Sequence, residues 1–441
     1  MCEGQIPSAI YFRIAMEKRV VITGLGIIAP NGVGVDAFRA SILQGKSGIR
    51  FIPELKVLNF GCQIGGVYDI NGSKYPSELE KSGLSGANEF VKLSCLAGIE
   101  AWIDAGFSVP GYMEGETDYD TGVIMGSGIG AIDIIRDRLI PFTNGGEVKK
   151  LRSTIVEYSM FSASTANLAG ILALGNQAVS VSSACSSSSE AVIMGYDRIK
   201  SGKAKRMLVG GVEVYTPHSW AGFDAMHLLT RQYNEKPELG SCPMSAHASG
   251  FVPSSGAGVI VIEELQSALE RGAKIYAEIK GCHSNSGGQR NGGSMTIPSP
   301  DGVIKCIRAA LKDAQTAPEE VDLISGHLTS TMADALEVSN WKSALRLDKC
   351  NFPFINAPKS ITGHLIGAAG VTEIIASVLQ IKHSFIHPSI NCNEVNIEIE
   401  RLIDRTKIPH QTIENIDVNC IAKASFGFGD VNACLILKKM N

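Results

Sequence analysis

Short apolar segments alternate with helix-like segments along the first half of the chain. Four segments rich in β-branched and other apolar residues predict buried strands, at residues 19–23, 121–125, 206–213 and 256–263. A helix is predicted to follow the last of them, over residues 265–271. Strands that are apolar on both faces and separated by helices are typical of an α/β protein with buried sheets.

The same alternation begins again after Gly272. Further strands are predicted at residues 274–280, 321–325, 354–356, 419–425 and 432–437. Helices are predicted at residues 301–314, with Asp301 as the N-cap, and at residues 372–382. The restart predicts two similar halves with a boundary near residues 264–273, although no internal sequence identity supports the duplication.

Composition limits the class of protein. The chain has 441 residues, more than one ordinary core holds, with 44% hydrophobic and 19% charged residues. Its net charge of −4 gives no basic surface for nucleic acid, so no nucleic-acid partner is expected. No apolar run is long enough for a membrane span, so none is predicted.

The eleven cysteines are scattered and include no Cys-x-x-Cys pair. Neither a zinc site nor a disulfide framework is indicated, and a reducing, cytoplasmic location fits best. Residues 1–15 lack the apolar core and cleavage site of a signal peptide. The segment from Met16 reads like a natural start, so residues 1–15 are interpreted as an N-terminal extension or the product of an upstream start codon.

Cys185 stands where a strand-like segment runs directly into a helix-like one, among small side chains. Unpaired backbone N–H groups and the helix dipole at such a junction favour a thiolate, which is a candidate nucleophile for acyl transfer. Most cysteines are inert packing residues, however, and the serines that follow Cys185 would also suit a flexible turn.

Two histidines also stand at strand-to-helix junctions, each directly after a glycine. His327 follows the strand predicted at 321–325, and His364 precedes an apolar helix, with Lys359 five residues before it. Neutral imidazoles can donate N–H bonds to an oxyanion, which would fit acyl chemistry at Cys185. The alternatives are that both histidines are core residues bonded to backbone and that Lys359 is an ordinary solvated lysine. The glycine–aromatic segment 426–429 would likewise be a simple turn.

Taken together, the chain resembles the β-ketoacyl-acyl carrier protein synthases of the elongating type, in the thiolase superfamily. The resemblance covers residues 16–439, and its matching segments follow one another in family order. They are residues 21–26, 45–49, 126–130, 183–186, 210–213, 256–258, 327–331, 359–370 and 426–429. Each segment alone is a weak signal, but nine in order are specific. The second histidine also separates this class from the coenzyme A-primed synthases, which carry Asn there.

The resemblance implies an α/β, duplicated thiolase-like fold of five layers, αβαβα. Residues 16–270 would form the half that carries the nucleophile, and residues 271–441 the half that carries the two histidines. It implies acyl carrier protein as partner and a homodimer, with a heterodimer as the alternative. It implies no metal and no cofactor, since the substrates travel on the phosphopantetheine of the carrier protein.

The resemblance also implies a role for each motif residue. Cys185 would take the acyl chain as a thioester, and the N–H groups of Cys185 and Phe428 would form the oxyanion hole. His327 and His364 would stabilise the enolate formed when the malonyl thioester loses carbon dioxide, and Lys359, with Glu337 as its partner, would orient this site. Thr329 and Thr331 would bind the pantetheine arm. Phe428 would gate the passage between acyl loading and malonyl binding, and Ile129 would lie at the acyl pocket.

Several positions depart from the family pattern. Leu328 and Asp430 replace glycines, and Asp430 is expected to add a carboxylate near the malonyl site. Neutral residues also replace charged ones at 242–245, 248–249 and 254–255, and Glu337 aligns only across a gap. These departures favour a specialised ketosynthase, for a polyketide-like or polyene product, over a housekeeping fatty-acid enzyme.

Two other functions stay open. A coenzyme A-dependent thiolase would need a second catalytic cysteine near the C-terminus, where Cys420 and Cys434 lie outside the expected glycine-rich loop. A non-elongating, chain-length-factor-like partner subunit would be expected to lack the nucleophile, which is present here.

Overall fold

The computed structural model describes residues 18–71, 73, 75–111 and 114–440. The predicted extension at residues 1–15 lies outside the described residues. Among the described residues no helix is long and apolar enough to cross a membrane.

Fifteen strands are formed by the described residues. They are β1 Val20–Ala29, β2 Gly32–Val33, β3 Ile49–Phe51, β4 Ile64–Gly66, β5 Thr121–Gly126, β6 Ala178–Val181, β7 Arg206–Glu213, β8 Gly256–Glu264, β9 Ala277–Ser286, β10 Leu323–Ser325, β11 Phe354–Asn356, β12 Phe385–Ile386, β13 Ile413–Glu414, β14 Cys420–Gly427 and β15 Val431–Lys438.

Sixteen α-helices accompany them in the described part of the chain. They are α1 Val35–Leu43, α2 Pro53–Val57, α3 Tyr75–Lys81, α4 Glu89–Asp104, α5 Ile132–Ile134, α6 Ile140–Asn144, α7 Thr154–Ser159, α8 Ala163–Ile171, α9 Ser187–Lys200, α10 Pro217–Ala225, α11 Leu265–Glu270, α12 Pro300–Asp313, α13 Ala333–Leu345, α14 Lys359–Thr362, α15 Ala369–His383 and α16 Ile397–Leu402.

The sheet repeats one pattern of pairing in its two halves. The order β1-β8-β7-β5-β6 pairs two antiparallel neighbours and then two parallel ones. The order β9-β15-β14-β10-β11 repeats that sequence of pairings. The halves meet where Val20–Ile22 of β1 pairs with Ala277–Ile279 of β9. The duplication predicted from the restart of the pattern is therefore present in the topology.

Helices cover both faces of the two half-sheets. Helices α9 and α15 contact each other and strands of both halves, so they form a central layer. Helices α4 and α8 cover the other face of the first half-sheet, and α12, packed against α13, covers that of the second. The result is the predicted five-layered αβαβα arrangement, and it places the N-terminal ends of α9 and α15 inside the molecule.

The structure corrects two details of the second half. Strand β9 begins at Ala277, three residues later than predicted. Helix α12 is capped by Ser299 and not by Asp301, because Ser299 is extended and its hydroxyl accepts the N–H of Gly302. Pro300 occupies the first helical position, where the lack of an N–H costs nothing.

Candidate active site

Cys185 lies in the turn between β6 and α9. Ala184, just before it, has a φ of 50°, a left-handed conformation that costs about 1–2 kcal/mol for a residue with a side chain. This sharp turn converts the end of the strand into the start of the helix. Cys185 is buried, with 9% of its surface exposed.

The serines that follow Cys185 are tightly packed: Ser186 is the N-cap of α9, and Ser187 to Ser189 lie in its first turn. Ser186 to Ser189 are fully buried. Glycines on neighbouring elements allow this close approach: a Cβ at Gly126 would lie 2.4 Å from the backbone of Ser187, and one at Gly370 would lie 2.2 Å from the hydroxyl of Ser189. The flexible-turn alternative is therefore wrong.

The Cys185 thiol has two hydrogen-bond donors beside it. His364 Nε2 lies 3.2 Å from its Sγ, and the backbone N–H of Phe428 bonds to the same sulfur. Burial nevertheless raises the pKa of Cys185 to about 11, against the opposing effects of Lys359 and the Phe428 N–H. Burial therefore opposes the thiolate that the helix terminus was expected to favour, and its effect on the pKa of Cys185 is larger than the opposing effects of Lys359 and the Phe428 N–H.

Local hydrogen bonds fix the tautomer of both histidines. The Nδ1 of His364 accepts the N–H of Ile366 at 3.2 Å, so its proton is on the Nε2 that faces Cys185. The Nδ1 of His327 lies 3.4 Å from the Nζ of Lys359, which can only donate while it is charged, so His327 is also protonated on Nε2. The two ring centroids are 5.3 Å apart and the rings are almost perpendicular.

Both imidazoles are neutral. Burial lowers the pKa of His327 well below its usual value, and the positive charge of Lys359 lowers it further. The pKa of His364 is lowered for the same two reasons. Each ring therefore offers one Nε2–H donor, as the sequence-based prediction requires.

Lys359 is paired with Glu373 and not with Glu337. Its Nζ forms a buried ion pair with Glu373 Oε1, in the first turns of α15. Glu337, on α13, accepts the backbone N–H groups of His327 and Leu328, each at 2.7 Å. The predicted Lys359–Glu337 pair is therefore wrong, and Glu337 supports the site by holding the backbone that carries His327. Burial raises the pKa of Glu337 to about 7.

Glu213 is a further buried carboxylate that sequence reasoning missed. Standing at the end of β7, it accepts the N–H groups of Gly128 at 2.8 Å, Ile129 at 3.2 Å and Gly367 at 3.1 Å. Burial raises its pKa to about 7. Glu213 thereby ties the loop that contains Ile129 to the segment just after His364.

Asp334 organises the segment that carries the two threonines. Its carboxylate accepts the N–H groups of Thr329 at 2.9 Å, Ser330 at 3.2 Å and Met244 at 2.8 Å. The hydroxyls of Thr329 and Thr331 lie 3.0 Å apart. Leu328, which replaces a family glycine, does not adopt a positive φ, so the substitution imposes no backbone strain.

Asp430 serves the architecture of a loop. Its carboxylate accepts the N–H of Ser299 at 2.8 Å and that of Gln289 at 2.9 Å, which holds the 287–299 segment against the loop of Phe428. Its own φ is 61°. Because both oxygens are engaged and Asp430 does not line the cavity, the expectation of an extra carboxylate at the malonyl site is wrong.

At 242 and 254–255 the departures place small buried residues that make neutral hydrogen bonds, with Cys242 in place of Arg, Ser254 in place of Gly and Ser255 in place of Glu. Ser254 donates to the carbonyl of Thr362 at 2.7 Å, and Ser255 to that of Gly66 at 3.2 Å. The Sγ of Cys242 lies 3.4 Å from the hydroxyl of Ser330. These contacts join the loops around the site without ion pairs.

A cavity of about 750 Å³ connects Cys185, His327 and His364 to the surface. This volume lies within the usual range for small-molecule sites. Cys185, His327 and His364 line its inner end, and Thr329, Thr331 and Phe428 line it further along. Ile129 is half-buried and does not line this cavity, and Lys359 lies behind the histidines. The rim is apolar at Ile297 and Met332.

The sulfur of Cys185 and one ring nitrogen each of His327 and His364 lie within 4.8 Å of one another, close enough to ligate a metal ion together. Sulfur and imidazole nitrogen are also the ligands that zinc prefers. A metal would need the Nε2 protons removed, whereas both rings are fixed with Nε2 protonated by the bonds at Nδ1. The arrangement fits hydrogen-bond donation to a substrate better than metal binding.

Known proteins are similar to this chain in sequence and in fold. The model of the family described as "Beta-ketoacyl synthase, N-terminal domain" matches residues 17–268, and that described as "Beta-ketoacyl synthase, C-terminal domain" matches residues 276–393. The 3-oxoacyl-[acyl-carrier-protein] synthase 1 of Haemophilus influenzae is 34% identical over 428 residues, which covers 96% of this chain and all of that protein.

Two solved structures are similar over nearly the whole chain. One is a type II polyketide synthase acyl-carrier protein in complex with its ketosynthase bound to the hexaketide, with a TM-score of 0.84, 28% identity and coverage of 97% of this chain and 100% of that one. The other is the ishigamide ketosynthase/chain length factor, with a TM-score of 0.85, 28% identity and coverage of 96% and 100%. The chain therefore belongs to the beta-ketoacyl synthase family, as an acyltransferase of the elongating class within the thiolase superfamily.

Proposed function

We propose that this chain is a 3-oxoacyl-acyl carrier protein synthase that joins an acyl chain on Cys185 to the two carbons left by malonyl-acyl carrier protein. The observation that carries the proposal is the inner end of the cavity. There the sulfur of Cys185 lies 3.2 Å from the Nε2–H of His364, with His327 beside it.

The first step is thioester exchange. The sulfur of Cys185 attacks the acyl thioester of the carrier protein, and the Cys185 proton passes to the departing pantetheine thiolate. The tetrahedral oxyanion is stabilised by the N–H groups of Cys185 and Phe428. The raised pKa of the thiol supports concerted loss of its proton, because the free thiolate is scarce at neutral pH.

The second step is decarboxylation. The electrons of the bond to the malonyl carboxylate move to the thioester carbonyl, carbon dioxide leaves, and an enolate forms. His327 and His364 donate their Nε2–H groups to its oxygen, and each such donor in a dry site is worth about 10²–10³ in rate. The enolate carbon then attacks the acyl-Cys185 carbonyl, the 3-oxoacyl carrier protein forms, and Cys185 leaves as thiolate and takes up a proton.

The remaining residues position the substrates. Thr329 and Thr331 bind the pantetheine arm, which the lining of the cavity by both residues supports. Phe428 gates the passage between loading and condensation, and Ile129 contributes to the acyl pocket. Lys359 orients His327 through its bond to Nδ1. Every step uses side chains, backbone N–H groups and carrier-borne substrates, so no metal or cofactor takes part.

Acyl carrier protein is the partner, and the protein acts as a homodimer in the cytoplasm. The similar polyketide ketosynthase in complex with its carrier protein supports the first assignment. The second rests on β6, which ends the large sheet and is only partly buried. An edge strand with unpaired backbone groups is a ready template for pairing with a second copy. Light scattering that gave the monomer mass would contradict the dimer, and a heterodimer would form only with an added partner chain.

The product is specialised, polyketide-like or polyene. The similarity to the ketosynthase of a type II polyketide system and to the ishigamide ketosynthase/chain length factor supports this assignment, as do the neutral replacements of charged residues around the site. Elongation of ordinary saturated acyl carrier proteins as fast as by a housekeeping synthase would contradict it.

The two other functions have weaker support. A thiolase would need a second cysteine at the site, but Cys420 and Cys434 are buried within β14 and β15 and do not line the cavity. A non-elongating partner subunit is disfavoured by the retained nucleophile and both histidines.

Release of labelled carbon dioxide from malonyl carrier protein tests the proposal. We expect release by the wild-type protein and a loss of about 10²–10³ in rate in His327→Ala and in His364→Ala. The variant Lys438→Met, at a partly exposed lysine away from the cavity that is paired with Glu320, is the control. Absence of release by the wild-type protein would refute the catalytic assignment.

A further inference from the structure

A second buried lysine lies behind the site. Lys423 is on β14, three residues before Phe426, and its side chain is fully buried. Its Nζ lies 3.2 Å from Glu373 Oε2 and 3.1 Å from the hydroxyl of Ser189, and it also bonds to the hydroxyl of Ser425. A buried lysine without a function is rare, because burying its charge is costly.

The contacts indicate that Lys423 is charged. Its Nζ donates to the hydroxyls of Ser189 and Ser425 and forms an ion pair with the carboxylate of Glu373, whose Oε2 lies 3.2 Å away. The buried carboxylate of Glu373 stabilises the ammonium form by its opposite charge. Burial lowers the pKa of Lys423, and the carboxylate of Glu373 opposes that effect.

Lys423 completes a continuous chain of contacts across the site. Ser189 lies on α9, one helical turn after the nucleophile, and Glu373 lies on α15. Glu373 pairs with Lys423 through one oxygen and with Lys359 through the other, and Lys359 contacts His327. Two ammonium groups thus share one carboxylate, which leaves a net positive charge behind the histidines.

We propose that Lys423 is a positioning residue that fixes Glu373 towards Lys359 and supplies a second buried positive charge, so that both imidazoles stay neutral donors during decarboxylation. This inference rests on the proposed function. Lys423 does not line the cavity, so it acts through its neighbours and does not touch substrate.

The positive charge of Lys423 acts on the two imidazole rings. Lys359 and Lys423 act on both rings, and the two rings act on each other. Cys185 lies against His364, Glu337 accepts the backbone N–H of His327, and Glu373 and Glu213 act on Cys185. Lys423 lowers the pKa of both His327 and His364, in addition to the effects of burial and of Lys359. Removing its charge should therefore raise both values and allow protonation at a higher pH.

The test is the pH profile of malonyl decarboxylation in Lys423→Met and Lys423→Gln. Gln can still donate to Ser189 and Ser425 but carries no charge, so it separates hydrogen bonding from electrostatics. In both variants we expect the acidic limb of the rate profile, where protonation of a histidine stops decarboxylation, to lie at a pH higher by on the order of one unit. Lys438→Met, on the neighbouring strand β15, should have the wild-type profile.

The outcomes are distinguishable. If the wild-type protein decarboxylates and both variants keep its acidic limb, the inference about Lys423 is refuted and the proposed function stands. If the wild-type protein releases no carbon dioxide, the proposed function is refuted, and the inference about Lys423, which rests on it, is refuted with it. If neither variant folds, NMR titration of the wild-type histidines replaces the profile: a ring of His327 or His364 that protonates above pH 6 overturns the inference.

Discussion

Lys359 lowers the pKa of the Cys185 thiol, and replacing it by Met should slow alkylation of that thiol. In the wild-type protein burial raises the pKa of Cys185 to about 11, and Lys359 is the largest opposing influence. The variant should fold, because Glu373 keeps its ion pair with Lys423. Any change in reactivity then reports on electrostatics at the sulfur.

The magnitude follows from two opposing effects. Loss of a nearby charge shifts a pKa by about one unit or more, and one unit lowers the thiolate fraction about tenfold. The more basic thiolate is about threefold more nucleophilic, since reactivity rises with a Brønsted slope of about 0.4–0.5. We therefore expect alkylation of Cys185 in Lys359→Met to be about threefold slower at pH 8.

Iodoacetamide labelling followed by peptide mass spectrometry measures this rate. The exposed Cys350 is an internal reference that should react equally in all variants, and Lys438→Met is the matched charge control. The wild-type rate should rise with pH beyond pH 10. A plateau below pH 9, or equal rates in the wild-type protein and Lys359→Met, would refute this account of the thiol.

Three further substitutions test the supporting framework. Glu373→Gln leaves Lys359 and Lys423 without their carboxylate and should lower the free energy of unfolding by about 3–5 kcal/mol in urea denaturation; a loss below about 1 kcal/mol would contradict the role of the ion pairs. Asp430→Ala removes the acceptor of two N–H groups, so amide hydrogen exchange across residues 287–299 should become faster, and unchanged exchange would contradict the anchoring role. The pKa of Glu213 is about 7, above its value in the unfolded chain, so the folded state binds the proton more tightly. Its contribution to stability is therefore present at low pH and lost as pH rises towards 7, and Glu213→Gln should flatten this dependence in denaturation measured from pH 5 to pH 8.

Local sequence patterns predicted the alternation of buried strands and helices, whereas the five-layered arrangement was predicted from the resemblance to a known family. Buried strands such as β7 and β8 have continuous apolar runs, and the pattern predicted them within a residue of their observed ends. Cys185, His327 and His364 lie together at one end of the cavity, because each stands at a turn that follows a strand or precedes a helix in the interior. A glycine before His327 and before His364 marks these turns.

The partners of buried charges could not be predicted in the same way. Whether Lys359 meets Glu337 or Glu373 depends on which helix presents its carboxylate to α14, and that is a property of tertiary packing. The pKa of Cys185 likewise depends on burial by both halves of the molecule. A local signal was available for Lys423, since a lysine in the middle of an otherwise apolar strand must have a buried partner. Pro300 similarly marked Ser299 as the cap of α12.

The acyl state of Cys185 is the most direct test of the proposed condensation. The protein is incubated with an acyl carrier protein loaded with a series of acyl chains, and the Cys185 peptide is analysed by mass spectrometry before and after addition of malonyl carrier protein. We expect an acyl mass on Cys185 that disappears on addition of malonyl carrier protein, while carbon dioxide and the 3-oxoacyl carrier protein appear. A Cys185 peptide that stays unmodified with every acyl chain, or a condensation product that Cys185→Ala forms equally fast, would contradict the proposed condensation.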